Sequence, residues 1–207
     1  MGEAPRSHIV TEEPLRLSPK AFADWDEDTR ATLLAHLRRP ELYLSGSPDA
    51  PPMPVVLELF AQHVELSRAW LPFTDMLAGE HARLPAEVRE LLILRVAVRT
   101  RSGYEWRQHR RMGLDAGLTE AQVTAVWQGP PAELWTARER TLLAATDEFI
   151  DQFAISEPTW NDLANAFDPA EILELLFLVG GYLCLAAVFN SVGLEPGLPD
   201  GPGPIPT

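Results

Sequence analysis

Residues 85–117 read PAEVRELLILRVAVRTRSGYEWRQHRRMGLDAG. Pro85 suits the first turn of a helix, where its missing N–H costs nothing, and Glu87 and Glu90 fall near the positive N-terminal end. Leu91, Leu92, Leu94 and Val98 carry an apolar pattern onward. Residues 100–103 interrupt it, and a second helix is expected from Gly103 to Ala116, stopped by Gly117. A helix pair joined by a short loop points to an all-α fold.

The neighbouring sequence extends this reading. Thr119 with Gln122 forms a capping box for a helix ending near Trp127, and residues 129–131 are a turn. Thr136 starts a helix whose stripe is Leu142, Leu143, Ala145, Phe149 and Ile150. Ser156 and Pro158 open a short helix through Trp160 and Leu163. Asp168 and Pro169 start a last long helix ending near Val192 and Gly193. Upstream, Leu33, Leu34 and Leu37 mark a helix over 26–38, capped by Asp24 or Asp26 and stopped by Pro40. Residues 45–54 are a loop. From Val55 a helix should run toward Leu71 with Leu57, Phe60, Val64 and Trp70 inward and His63 along it. Pro72 should kink or end that helix, with a further turn through Leu77. No two-residue alternation, strand–helix–strand rhythm or fixed repeat appears. The expectation is a single all-α domain of six to eight helices over 26–193. It would follow an extended N-terminal arm (1–25) and precede a Pro/Gly-rich flexible tail (194–207).

The chain of 207 residues is 46% hydrophobic, enough to form one packed domain. Seventeen Lys and Arg against 30 Asp and Glu give a formal charge of −13, which argues against a nucleic-acid partner and against anionic membranes. After Arg140 there is no Lys or Arg, yet ten acidic residues lie between Asp147 and Asp200; a solvated acidic surface is the plain reading. Cys184 is the only cysteine, so no internal disulfide can form. The N-terminal residues have no apolar core of a secretory signal, and a cytoplasmic location is expected. Residues 172–189, ILELLFLVGGYLCLAAVF, approach the length of a membrane span. They contain Glu174 and lack flanking basic residues, which favours a buried central helix or an oligomer interface.

Ser102, Glu105 and His109 are spaced i, i+3, i+7, which at ~100° per residue holds them within about 60° of one helix face. Glu105 and His109, at i,i+4, can place a carboxylate against the imidazole to orient it and raise its basicity. If the two helices pack antiparallel, Glu90 meets the same face. Two carboxylates close together do not readily both ionise, so one can hold a proton near neutral pH. Tyr104 and Trp106 flank this face and could wall off a pocket. The same spacing also suits a surface ion pair, with Glu90 paired instead to Arg89 or Arg95. Glu90, Glu105 and His109 make a conceivable three-ligand set, but no recognised metal-binding spacing is present, and no metal or other cofactor is expected.

The stretch LPAEVRELLILRVAVRTRSGYEWRQHRRMGLDAGLTEAQV (84–123) resembles the core of the carboxymuconolactone decarboxylase family, which includes the alkylhydroperoxidase D proteins. FAQHVELSRAW is similar to an upstream helix of that family; ARERTLLAATDEFIDQFAISEPTWNDL and GGYLCLAAVFNSVGLEP are similar to its longer members, so the likeness spans about residues 53–195. The peroxidase branch carries a Glu, a CxxC pair, and a His four residues beyond the second cysteine. The resemblance puts Glu90 and His109 at the Glu and His, with Ser102 and Glu105 where the two cysteines would be. Thiol peroxidase chemistry needs an attacking thiolate and a resolving thiol, so the loss of both argues against that activity. The form Glu105-Trp106…His109 looks more like the decarboxylase branch. The resemblance implies an alkylhydroperoxidase D-like helical subunit that assembles into homodimers, trimers or hexamers, with a pocket at or near a subunit interface.

The leading expectation is a cofactor-independent acid/base lyase or isomerase acting on a small carboxylated or lactone-like substrate. His109 would be the main acid/base, Glu105 its orienting partner and Glu90 a second proton-transfer group. Ser102 and Tyr104 would hydrogen-bond the substrate beside Trp106, and Arg95, Arg99 and Arg101 would supply the cation that an anionic substrate needs. His63 is a further pocket candidate, though a lone His on a helix is more often a packing residue. Two other readings stay open: a biosynthetic tailoring enzyme catalysing dehydration, isomerisation or cyclisation on the same scaffold, and a non-catalytic helical oligomer that binds a ligand.

Overall fold

The computed structural model describes residues 15–37, 39–45, 47, 50–79 and 81–194. Most of the expected arm and nearly all of the expected tail lie outside them. Among the described residues the chain forms ten α-helices and no strand: α1 (Glu27–Leu34), α2 (Pro40–Tyr43), α3 (Val55–Phe60), α4 (Val64–Ala78), α5 (Ala86–Thr100), α6 (Gly103–Ala116), α7 (Glu120–Ala125), α8 (Ala137–Gln152), α9 (Glu157–Ala166) and α10 (Pro169–Val192).

Two features raise the count above the expected six to eight. Pro40 starts a single turn, α2, instead of only stopping the helix before it, because a proline fits the first helical position. The helix expected from Val55 to Leu71 is broken at residues 61–63. The buried Ser67 hydroxyl donates to the Phe60 carbonyl (2.7 Å), which in a continuous helix would have accepted the Val64 N–H. His63 therefore lies at the N-cap of α4, not along a helix; its Nδ1 accepts from the Leu66 N–H at 3.3 Å. Pro72 sits inside α4, which neither ends nor restarts there. Its side chain is exposed, on the side where water can take the carbonyl it leaves free.

The centre of the fold is α5, which packs against α6, α8 and α10. Every residue from Glu90 to Val98 is buried, so this helix is apolar on nearly all sides rather than along one stripe. Leu92, Ile93 and Val96 meet Leu142 and Ala145 of α8 and Leu175 and Leu178 of α10. Leu91, Leu94 and Val98 meet Trp106 of α6 and Val126 and Trp127 beyond α7. A third cluster joins Trp25 and Leu33 to Leu57, Ala61 and Leu71.

Polar groups fix the two ends of α5. Glu174 of α10 is buried and accepts the Arg83 N–H (2.9 Å) and the Leu84 N–H (2.9 Å), holding the chain that leads into α5. The charge that interrupts the apolar run of α10 thus has full backbone compensation. At the far end, Arg101 takes a left-handed conformation (φ 58°), its N–H bonded to the Val98 carbonyl and that of Ser102 to the Ala97 carbonyl. This is a Schellman turn with arginine where glycine is usual, and it folds α6 back along α5. Part of the C-terminal acidity is also engaged in ion pairs and hydrogen bonds, at half-buried Asp147 and Glu148 and exposed Asp151. Asp147 and Asp151 of α8 pair with Arg95 and Arg99, and Glu148 accepts from the Ser156 N–H and the Thr159 hydroxyl.

Candidate active site

Antiparallel packing of α5 and α6 brings Glu90 to His109. Its Oε2 lies 2.8 Å from His109 Nδ1, and both side chains are about 10% exposed. Gly113, one turn beyond His109, faces the same helix contact. A Cβ there would be tightest against a Leu118 methyl (3.0 Å) and a Leu94 methyl (3.3 Å), and would sit 3.6 Å from the Glu90 Cβ. Because Glu90 accepts the Nδ1 hydrogen, Nε2 of the neutral ring is left with the lone pair that a general base needs. On its other side the ring meets the edge of Tyr182 from α10, with centroids 5.0 Å apart at 89°.

Glu105 differs from the expectation. It is 2% exposed, and neither carboxyl oxygen has a hydrogen-bond partner among the described residues. The carboxylate that orients His109 is Glu90, not Glu105; helical i,i+4 spacing permits the contact, but the antiparallel packing supplies a better-placed partner from α5. Burial pushes the Glu105 carboxyl up to about 8, with the Ser102 hydroxyl pulling the other way. The cause is desolvation, not repulsion from a second carboxylate as the spacing had suggested. Ser102, at the N-cap of α6, is fully buried and its hydroxyl too lacks a partner in hydrogen-bond geometry among the described residues.

The other expected site residues divide. Tyr104 is half-buried and its ring packs on Phe189 at 5.2 Å. Trp106 does not wall a pocket: it is 6% exposed and packs edge-on against Trp127 within the core, because its position on α6 faces α7. Arg95 does not face a substrate either. Its guanidinium makes two 2.7 Å bonds to Asp147 and one of 2.6 Å to the Val126 carbonyl, so its charge is already spent in the core. Arg99 is paired with Asp151 (2.6 Å) and Asp147 (3.4 Å). Arg101 is exposed at the α5–α6 turn. His63 lines a small groove with Phe60, Leu66 and Phe189 and makes no hydrogen bond or ring contact with the Glu90–His109 pair. Among the described residues no group of three or more His, Cys, Asp or Glu side chains is placed to hold a metal ion; Glu90, Glu105 and His109 do not form one.

Tyr182 and Gly113 belong to this site and were missed in the sequence. A glycine inside a helical pattern four residues after a candidate histidine, and the lone phenol of an apolar run, were the available signals.

Together the residues provide an imidazole whose Nδ1 is held by the Glu90 carboxyl and, on the same helix as that imidazole, a buried carboxyl raised to about 8. A proton acceptor and a separate proton donor are the requirement for paired acid and base catalysis.

The carboxymuconolactone decarboxylase family model matches residues 65–148, from the start of α4 through most of α8. A search of curated proteins returns no match. Among solved structures, the fold is similar to a protein of unknown function from Agrobacterium tumefaciens, assigned provisionally to AhpD antioxidant defence. The TM-score is 0.61 at 15% identity, covering 68% of this chain and 96% of that one. It is also similar to an uncharacterised peroxidase-related protein with an alkylhydroperoxidase AhpD core from Ralstonia eutropha JMP134. There the TM-score is 0.62 at 16% identity, covering 89% of this chain and 93% of that one. At these identities the likeness is one of fold.

Proposed function

We propose, for a chain that belongs to the carboxymuconolactone decarboxylase and AhpD-like family, a cofactor-independent lyase or isomerase working by acid/base catalysis on a small carboxylated or lactone-like substrate. The observation that carries this reading is the buried, unpartnered Glu105 carboxyl, raised to about 8, on the same helix as a His109 held by Glu90. Ser102 and Glu105 stand where the peroxidase branch has its thiols, and the one cysteine, Cys184, lies on α10 without a second thiol to resolve it.

In a decarboxylation the substrate C–CO2⁻ bond breaks and its electron pair passes into the adjacent unsaturated lactone as an enolate. The neutral Glu105 carboxyl then delivers its proton to carbon, giving the enol-lactone and CO2. The Glu105 carboxylate so formed is unfavourable in its dry setting and regains a proton readily. His109, its Nδ1 hydrogen on Glu90, takes or returns a proton through Nε2. Dehydration or isomerisation would use the same groups, and CO2 release separates them from decarboxylation. The resemblance also supports assembly with further copies of this chain.

The test is turnover of a carboxylated muconolactone, followed by CO2 release. His109→Ala and Glu105→Gln should each lower kcat/KM by about 10²–10⁴-fold. Full turnover by well-folded His109→Ala and Glu90→Gln variants would overturn the assignment. Peroxide-dependent thiol consumption should not exceed that of a Cys184→Ser variant, and measurable consumption above it would restore the peroxidase reading.

A further inference from the structure

A second histidine–carboxylate pair lies apart from the one just described. Nδ1 of His36, in the turn after α1, is bonded to Asp75 of α4. The His36 side chain is only 14% exposed, while Asp75 is 54% exposed. The pair borders a cavity of about 380 Å³ that also takes in Thr74 of α4, Met112 of α6 and Tyr182 of α10. Tyr182 is the residue whose ring meets His109 edge-on, and Met112 lies one helical turn after His109. One wall of this cavity is therefore the ring that packs against His109.

The pair is not needed to tether α1 to α4. Arg68 already bonds Asp28 at 2.8 Å, and Leu33 and Leu71 share a core cluster. With Nδ1 engaged by Asp75, the His36 Nε2 has no partner among the described residues. A mostly buried ring with one nitrogen fixed by a carboxylate and the other unoccupied is a directed donor or acceptor. Asp75 offsets a charge on the ring, so the pair suits a hydrogen bond to oxygen more than bulk attraction of anions. The volume falls within the range of small-molecule sites, with polar groups on one side and Met112 and Tyr182 on the other.

We propose that this cavity is the outer part of the substrate site, in which His36, its Nδ1–H held by Asp75, takes up a second proton at Nε2 when the ligand binds and donates it in a hydrogen bond to a carbonyl or carboxylate oxygen on the portion of the substrate that is not transformed. Tyr182 separates that portion from the reacting end at His109. The inference rests on the acid/base reading, but its test reads binding instead of turnover.

The probes are muconolactone and its methyl ester, added to full-length protein labelled with ¹⁵N at histidine and followed through the ring-nitrogen signals. The His36 and His109 signals should move together at the same probe concentrations. His36→Ala should weaken binding about tenfold, as expected for loss of one hydrogen bond to a polar ligand. His36→Gln, which keeps an N–H donor, should retain most of the affinity. His109→Ala should leave the His36 response in place. A His109 response with His36 unmoved, equal affinity for His36→Ala and wild type, or no His36 response to either probe would each overturn the proposal. A His36 response without any turnover would support the subsite and count against the lyase reading alone.

Discussion

Burying a carboxyl group without a hydrogen-bond partner costs free energy in either protonation state, and far more when it is ionised. Glu105 accepts that cost at 2% exposure, and its sign predicts how the protein responds to pH. The folded-state value, about 8, stands above the 4.5 of a free glutamate. Below the lower value both folded and unfolded chains hold the proton, and this group makes stability independent of pH. Between the two, folding takes up a proton, so stability falls as pH rises, by on the order of 1 kcal/mol per pH unit. Above the upper value the penalty is complete. Urea unfolding at pH 5.5 and 8.5 should show this loss in the wild type, and Glu105→Gln should remove most of it. Parallel behaviour of the two proteins would mean that Glu105 is ionised or hydrated in the folded state. The same titration should appear as an alkaline limb near pH 8 in kcat/KM, since the group then has no proton to give.

Helix α5 is buried on almost every side, so an arginine within it must bring its own compensation. Arg95 finds it in Asp147 of α8 and the Val126 carbonyl, and Gly129 leaves room for the guanidinium: any Cβ there would collide with it, at a φ of +72° that side chains avoid. Arg95→Ala should cost about 3–5 kcal/mol, the usual range for removing one partner of a buried pair, measured by urea unfolding at neutral pH; a loss below 1 kcal/mol would show that Arg99 takes over Asp147. This pair also shows where the sequence stopped being legible. The helix starts at Asp26, Thr119, Thr136 and Asp168 could be read because caps are local: each side chain bonds an N–H two or three residues away. The break at residues 61–63 could not, since its stabilising hydroxyl, Ser67, lies in the next helix. Nor could the partners of Arg95 and Arg99, each 52 residues away on α8. The candidate site divides in the same way. That Glu90 meets His109 if the two helices pack antiparallel was visible; that Glu105 stays apart from the imidazole was not. Which carboxylate holds the imidazole depends on how two helices dock, a non-local fact that spacing along one helix does not contain.

For the molecule as a whole, the face that α10 turns away from α5 is the feature the single chain leaves unresolved. By length and composition α10 could cross a membrane, and 44% of its most apolar window is buried. The remainder includes Leu173 and Phe177, both more than half exposed, beside a cavity of about 570 Å³ bounded by Trp70, Phe73 and Phe149. An uncovered apolar surface of this extent is unfavourable in water, and we propose that it is an interface. Lipid is a poor occupant: Glu174 lies within the helix and no cation flanks it at residues 141–194. A second copy of the chain meets no such objection, because an isologous contact places apolar face against apolar face. Sedimentation velocity should therefore show a species heavier than the 23.0 kDa chain. Phe177→Asp and Leu173→Glu should shift it toward the monomer while far-UV circular dichroism keeps its helical signal. If the monomer also loses turnover with its histidine signals unchanged, a residue from the neighbouring copy completes the site. A monomeric wild type that floats with neutral lipid vesicles would instead assign this face to a membrane.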